Sequence, residues 1–511
     1  MDTAPVSTSR SATLNNNVED EIEMNNANNE INDDDEEKEE EEEKLLSFWN
    51  IVAIQASFSA SANIFQIPSM IGIYGYVLGP IVFGLWFLLV YFVACYVCDV
   101  CTRSNGRVKT FADAGHEILG YKNIGRKLFR CIQYLNFLLY IPTIIISMAT
   151  CLAAIFGSNV FDGCFGIWMV IVTVILYIVL QFVHNFKEST WLAYGSVTCA
   201  ILQAFVLAPF VIATTKDNYS TMDSISDPGT PLDRGPGQPF LNPFHEEISF
   251  WEILTSFLLF GFSGTFLIPE TIGIAEEPDR YKTALGYSCG LMYLLYMVPA
   301  IVVTTVWGWN FDFLLNSDFT SGSVAIIVNI LIFVPNIVDY ILPSLILNDA
   351  LKQRIIVYDI IKKNGTQEQQ QEHDDEEANN NVDNDHDVVH FVWWVHMLIT
   401  LPFIIYSFLV ATFVPSFEVL VTIGTFATII PGLTWIWSIS YFLHNYYCCR
   451  NNNSNSNSNS NEVMLKTTPY TILHGISLLV GLFFTFVSLA VTIQSFATAN
   501  WSMSGIFCNH K

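Results

Sequence analysis

The sequence predicts an all-α membrane protein of about eleven transmembrane helices, arranged as two halves of opposite orientation. Three observations carry this. The 511-residue chain is 52% hydrophobic and 14% charged, against roughly 25% charged in ordinary soluble domains. Its apolar residues gather into eleven runs of about the twenty residues that cross a bilayer as a helix. Two of those runs, the first and the sixth, share one pattern of helix breakers at an offset of 201 residues.

The formal net charge of −26 does not describe a ligand or a partner. Residues 1–46 hold 16 Asp/Glu against 3 Lys/Arg, and residues 350–390 hold 10 against 4. Both segments are poor in core-forming residues, so the low pI belongs to solvated stretches. The run NDDDEEKEEEEEK follows Asn-rich sequence, and 1–46 reads as a disordered acidic tail. No basic region precedes an apolar core there, so it is not a signal peptide. Leu45 and Leu46 follow acidic residues, as a di-leucine sorting signal would. They also abut the first span, and the simpler reading is that they begin it.

The runs fall at 47–73, 77–100, 129–156, 165–184, 190–213, 250–274, 284–308, 322–348, 389–413, 418–446 and 470–497. Main-chain groups in lipid must pair internally, which makes runs this long helices. Trp49, Trp307, Trp309, Trp393, Trp394, Tyr446 and Tyr447 sit near span ends, as an interfacial aromatic belt requires. The division is a transporter-type core over 47–447, with repeats at about 47–213 and 250–447. A low-complexity linker over 448–468 includes NNNSNSNSNSN, and the last span and C-terminal end occupy 469–511.

Loops after the even-numbered spans carry 16 Lys/Arg; those after the odd-numbered spans, with the C-terminal end, carry three, Lys216, Arg234 and Lys511. The positive-inside rule then puts the N-terminus in the cytoplasm and the C-terminus outside. It also puts the glycosylation sequons at Asn218 and Asn500 on the outer or lumenal face.

Spans 1 and 6 repeat each other. Phe65-Gln66-Ile67-Pro68-Ser69-Met70-Ile71-Gly72-Ile73 matches Phe266-Leu267-Ile268-Pro269-Glu270-Thr271-Ile272-Gly273-Ile274 at six of nine positions. Small or polar residues precede both: Ser57, Ser59, Ser61 and Asn63 in one, Gly261, Ser263, Gly264 and Thr265 in the other. A repeat unit of five spans inverts the second half relative to the first. Paired interruptions in matching positions point to a central binding site. Unwinding frees N–H and C=O groups that a ligand can satisfy. The N-terminal end of the resuming helix favours an anionic group, and small residues let the ligand reach the backbone. The candidate binding residues are Ser59, Ser61, Ala62, Asn63 and Ile64 with Phe262, Ser263, Gly264 and Thr265. For either segment alone, a proline kink with a small-residue packing face is the plainer reading; the match between the two favours the site.

These residues bring the chain into resemblance with the amino acid/auxin permease family, over roughly 48–446. FGFSGTFLIPETIGIAEEPDRYK (260–282) resembles that family's sixth span. GRVKTFADAGHEILGYKNIGRKLFRCIQYLNFLLY (106–140) resembles its loop into span 3, and FVPSFEVLVTIGTFATIIPG (413–432) the start of its span 10. The resemblance implies a five-plus-five inverted-repeat transporter with one extra C-terminal span. Such a protein moves amino acids or close relatives with protons or sodium. Where the family tends to have Gly-x-Gly before the Ile of span 1, this chain has Ser61 and Asn63, which implies an unusual substrate mode.

Asp339 lies near the middle of span 8, between Pro335 and Pro343. An ionisable group at that depth is by default a functional candidate. No Lys or Arg lies inside a span, so Asp339 is a candidate proton carrier or cation ligand; the alternative is a carboxyl hydrogen-bonded to Tyr, Ser or backbone for packing. Glu270 is a second ion-coupling candidate, or else a partner of the basic loop around Arg126, Lys127 and Arg280. Tyr140 on span 3 is a possible substrate contact and more simply a packing aromatic. Glu418 reads as interfacial and His184 as a surface histidine. Eleven scattered Cys show no metal spacing. The absence of a pore ring or Arg-rich sensor argues against a channel, and sparse intramembrane His argues against an enzyme.

The expectation is therefore proton-coupled secondary transport of amino acids by alternating access, without enzymatic activity, cofactor, metal or nucleic-acid partner. Sodium coupling, or an amino acid sensor of the same fold, is the alternative. The bilayer would be the plasma membrane or a vacuolar or lysosomal membrane.

Overall fold

The structure, a computed structural model, describes residues 45–60, 63–104, 108–119, 124–156, 164–217, 263–307, 323–370, 385–413, 423, 434, 436–443 and 468–498. The acidic tail over 1–44, most of span 10 with Glu418, most of the linker, and Asn218 and Asn500 lie outside the described residues.

Span 1 is two helices, α1 (Phe48–Ala60) and α2 (Asn63–Tyr74). Span 2 is α3 (Leu78–Arg103), followed by a short helix α4 (Phe111–Leu119). Spans 3, 4 and 5 are α5 (Ile124–Phe156), α6 (Phe165–Leu180) and α7 (Phe186–Asp217). The described part of span 6 opens as a 3-10 turn, Ser263–Leu267, and continues as α8 (Ile268–Ile272). Spans 7, 8, 9 and 11 are α9 (Tyr281–Trp307), α10 (Ser323–Gln370), α11 (Asp385–Phe413) and α12 (Thr468–Thr498). Among the described residues, seven helices are long and apolar enough to cross a membrane; α6 and the Phe48–Phe58 stretch are apolar but shorter. The structure is thus an all-α membrane protein, with span 1 described as two helices and the described part of span 6 opening as a 3-10 turn.

Two boundaries differ from the sequence reading. Helix α1 begins at Phe48, and Leu46, at the junction of tail and span, is fully buried. Leu46 N–H donates to Ile274 O at 2.7 Å, and Glu276 N–H donates to Leu46 O at 3.0 Å. This two-bond bridge ties the start of span 1 to the end of span 6. Helix α10 runs on to Gln370, well past the apolar stretch that ends near Lys352. Charged and polar residues after Lys352 are sound helix formers, so a helix that packing starts in the bilayer continues beyond it.

The sequence repeat falls on α2 and on the turn and short helix that open the described part of span 6. At the 201-residue offset Asn63 corresponds to Gly264. The described part of α2 starts at Asn63 and that of the 3-10 turn at Ser263. Packing follows the same exchange. Helix α9 lies against α1 and α2, and α3 in turn lies against α8; α10 lies against α1, and α5 reaches the Ser263–Leu267 turn. Helices α5 and α10 form an extensive central contact, with α7 on the other flank of α10.

The outward surface is apolar where a soluble protein's would be polar: Leu85, Leu88, Phe205, Leu294 and Leu479 are all more than 45% exposed. Helix α12 packs on α3, with the Trp86 and Phe484 rings 5.7 Å apart and Phe92 4.9 Å from His474, and on the described part of span 10, where His474 stacks on Tyr441 at 4.0 Å and Thr471 hydrogen-bonds Tyr441. Most of its surface is left to lipid.

Candidate functional site

Buried polar groups in a membrane bundle must find partners within it, so these groups locate the site. Asp339 and Tyr140, on α10 and α5, are the central pair. Tyr140 Oη donates to Asp339 Oδ2 at 2.9 Å. Asp339 is fully buried. The Tyr140 ring lies 5.7 Å from that of Phe58, which is itself fully buried two residues before the end of α1. The pair therefore sits beside the interruption of span 1. Nearby, Asn336 Nδ2 donates to Ser147 Oγ at 3.0 Å. Position numbers rise along α5 as they fall along α10, so the two helices run in opposite directions. Pro335 and Pro343 bracket Asp339 within α10, where each removes a main-chain donor.

Glu270, on α8, is held by the same helix α5. Its Oε1 accepts from Gln133 Nε2 at 2.7 Å and from Phe111 N–H at 3.0 Å. The second bond is a helix-end contact. Helix α4 starts because Thr110 caps it: Asp113 N–H donates to Thr110 Oγ1 at 3.2 Å. Phe111 is its first residue, with an N–H that no helical carbonyl can take. A carboxylate also suits the positive end of a helix. The basic residues expected near Glu270 are engaged elsewhere: Arg126 on Asp113 at 2.7 Å and Arg280 on Glu277 at 2.8 Å. Glu270 is an anchor between α8, α4 and α5 rather than a partner of the basic loop.

Gln133 Nε2 also donates to Phe266 O at 2.9 Å, inside the 3-10 turn. Gln133 and Tyr140 are seven residues apart, hence on one face of α5 and separated along it by about 10 Å. One face of span 3 thus grips both carboxylates, and through Phe266 it also holds the 3-10 turn of span 6. Phe137 lies between them on that face, its ring 6.3 Å from Phe266. Below the turn, Phe111 lies 5.3 Å from Phe129, 5.3 Å from Phe266 and 5.4 Å from Trp437. This aromatic cluster closes that end of the bundle.

A third network joins α1, α8 and α9. Gln55 Nε2 donates to Tyr281 Oη at 2.8 Å and lies 3.5 Å from Thr271 Oγ1. Tyr281 and Thr271 share a short hydroxyl–hydroxyl hydrogen bond. All three side chains are fully buried.

Of the residues expected to bind substrate, Ile64 and Thr265 are fully buried, one in α2 and one in the 3-10 turn. In the backbone, Ser59 is the next-to-last residue of α1, Asn63 begins α2, and Ser263 and Gly264 lie in the 3-10 turn. Ser61, Ala62 and Phe262 lie outside the described residues. The α1 helix touches the 263–267 turn directly, so the two elements are neighbours. Sequence reasoning singled out Asp339, Glu270 and Tyr140 but not Gln55, Phe58, Gln133 or Tyr281. A signal for two of these was present, since Gln55 and Gln133 are amides set in apolar runs, where a polar side chain implies a partner on another helix.

Helix α1 in contact with the 263–267 turn, with a buried carboxyl beside the end of α1, within a set of long apolar helices, defines the class: a multi-pass membrane transporter. Residues 46–494 match the family model described as transmembrane amino acid transporter protein, and the chain belongs to that family. The resemblance read from spans 3, 6 and 10 is thereby confirmed, and the protein is a transporter, not an enzyme. Among solved structures the chain is similar to the manganese transporter of Eremococcus coleocola in complex with an aromatic bis-isothiourea substituted compound. The two are 12% identical over 90% of this chain and 89% of that one, with a TM-score of 0.46. A single-substitution mutant of the same transporter gives 12% identity, 89% coverage of both chains and a TM-score of 0.46. Comparison with curated protein sequences finds no significant match.

Proposed function

We propose that the protein is a proton-coupled secondary transporter of amino acids or close relatives, working by alternating access. The substrate lies between Ser59–Ile64 and Phe262–Thr265. Freed main-chain N–H groups receive its carboxylate and freed carbonyls its ammonium group. Asp339 is the coupling carboxyl. The observation that carries this reading is the Tyr140–Asp339 pair beside Phe58 at the interruption of span 1. Protonation of Asp339 removes the acceptor charge that holds Tyr140, and Tyr140 touches the helix end that frames the substrate. Proton occupancy and substrate occupancy are thereby linked through one hydroxyl. Glu270, tied to Phe111 and Gln133, keeps α8 seated on α4 and α5.

The N-terminus lies in the cytoplasm on this reading, by the Lys/Arg asymmetry of the loops. The test is uptake of a labelled amino acid panel into proteoliposomes at two pH values, with and without sodium. A pH gradient that drives accumulation without sodium supports the proposal. Accumulation only with sodium replaces the ion, and binding without exchange or net flux makes the protein a sensor.

A further inference from the structure

The internal repeat extends beyond spans 1 and 6 into spans 2 and 7. At an offset of 202 residues, Pro80, Gly84 and Tyr91 of α3 correspond to Lys282, Gly286 and Tyr293 of α9. The structure brings these residues together reciprocally. Tyr293 Oη donates to Pro80 O at 2.9 Å, and Tyr91 Oη reaches Lys282 O at 3.4 Å. Each hydroxyl lies over the other helix's glycine. A Cβ on Gly84 would stand 3.2 Å from Tyr293 Oη, and one on Gly286 would stand 3.1 Å from Tyr91 Oη. In both cases the carbonyl reached is the one four residues before the glycine, which already accepts the glycine N–H within its helix. Because the glycine has no side chain, the hydroxyl can approach that carbonyl's second lone pair.

Two contacts related by exchange of the halves place an internal two-fold axis between spans 2 and 7. They are unequal in this state. The Tyr293 bond lies within the usual O–H···O range and the Tyr91 bond beyond it. The Tyr91 hydroxyl also meets the Cys95 thiol, a weak acceptor. The two tyrosines and two glycines line one apolar cavity of about 550 Å³, together with Leu88 and Cys289. Protein interiors are ordinarily filled, so this crossing has room for a small shift. Lys282 Nζ pairs with Asp99, whereas the matching places in the other half hold Pro80 and Ile301. The two settings of the crossing therefore differ in energy.

We propose that these two clasps work in turn. The Tyr293–Pro80 bond holds the state described here. When the site turns to the other face of the membrane, the Tyr91–Lys282 bond shortens and the Tyr293–Pro80 bond lengthens. An axis in the membrane plane interchanges the two faces, so inverted halves that exchange conformations turn the site round. Tyr91 and Tyr293 are thus positioning residues, acting on the balance between two states and not on the substrate. The inference rests on the alternating-access reading above. The backbone bridge from Leu46 to Ile274 and Glu276 marks the present state. It closes span 1 on span 6 at one end of the bundle only, so exchange of the halves opens it.

The test is hydrogen–deuterium exchange of the full-length, substrate-free protein, read by mass spectrometry at the amides of Leu46 and Glu276. Tyr293→Phe keeps the ring and removes the bond that holds this state. It should speed exchange at both amides by about two- to tenfold, the effect of one neutral hydrogen bond. Tyr91→Phe removes the bond that holds the other state and should slow exchange at the same amides. The double variant should return toward the wild-type rate. A purely structural role predicts that both single variants speed exchange, since each removes a contact between helices. The proposal is overturned if the two single variants move exchange in the same direction, or if neither moves it. Amino acid counterflow by the wild-type protein in proteoliposomes separates the two readings. Counterflow with same-direction shifts sinks the clasps and leaves the transport reading standing; wild-type protein without counterflow of any amino acid in the panel sinks both.

Discussion

Gln133 and Tyr140 stand two helical turns apart on one face of span 3, and each holds a buried carboxylate: Gln133 that of Glu270 at 2.7 Å, Tyr140 that of Asp339 at 2.9 Å. The carboxylates belong to spans 6 and 8, so this single helix face couples three elements. The two grips differ in kind. Glu270 also caps a helix N-terminus, which fixes it in place. Asp339 is held by a tyrosine whose ring rests on the end of α1, so its contact is tied to the helix that frames the substrate.

Tyr140→Phe keeps the ring contact with Phe58 and removes the donor. Hydrogen bonds to charged groups contribute about 1.5–3 kcal/mol, and a loss of that size should lower the melting temperature of the detergent-purified protein. It should also shift the pH dependence of uptake, because the hydroxyl touches the group proposed to carry the proton. An unchanged pH profile with a lowered melting temperature would assign Tyr140 a packing role alone.

Glu270→Gln retains an oxygen that accepts from Phe111 N–H and Gln133 Nε2, whereas Glu270→Ala removes it and leaves the first donor of α4 buried without it. The alanine variant should lose about 1–3 kcal/mol of stability and the glutamine variant much less. Thermal unfolding monitored by fluorescence-detected size exclusion separates them. Glutamine should also preserve proton-driven uptake; its loss would make Glu270 a coupling group.

Helices α4 and α5 approach closely at two glycines. A Cβ on Gly125 would lie 2.2 Å from Gly115 O, and one on Gly115 would lie 2.5 Å from Phe129 Cγ and 2.7 Å from Gly125 O. Backbone cannot move aside as a side-chain tip can, so Gly125→Ala and Gly115→Ala should each cost about 1–3 kcal/mol or more. A Cβ on Gly290 meets nothing within 4 Å. Gly290→Ala should therefore be neutral, or stabilising by up to about 1 kcal/mol through helix propensity. Melting temperatures of the three variants check the order.

Much of this architecture was legible because the bilayer imposes it. Long apolar runs have one allowed conformation in lipid, and most described residues of the predicted spans lie in helices, with departures at span ends such as Gln181–His184 and at Thr434. The duplicated F-x-I-P-x-x-I-G-I falls on α2 and on the described start of span 6. Asp339 and Glu270 stood out because a carboxylate in an apolar run needs a reason. Their partners did not, since which face of α5 meets α8 and α10 is decided by packing between distant segments. Tyr140 was one aromatic among several on its span, and only the crossing with α10 distinguishes it. Leu46, read as the start of span 1, makes two backbone bonds to the end of span 6 that leave no trace in local sequence.

The central claim is that Asp339, at the junction of spans 3 and 8 beside the interruption of span 1, couples substrate movement to protons. Its most direct test compares Asp339→Asn with wild type in proteoliposomes, measuring both amino acid counterflow and accumulation driven by a pH gradient. The account predicts that counterflow survives while gradient-driven accumulation disappears. Accumulation at the wild-type level in the asparagine variant would contradict it.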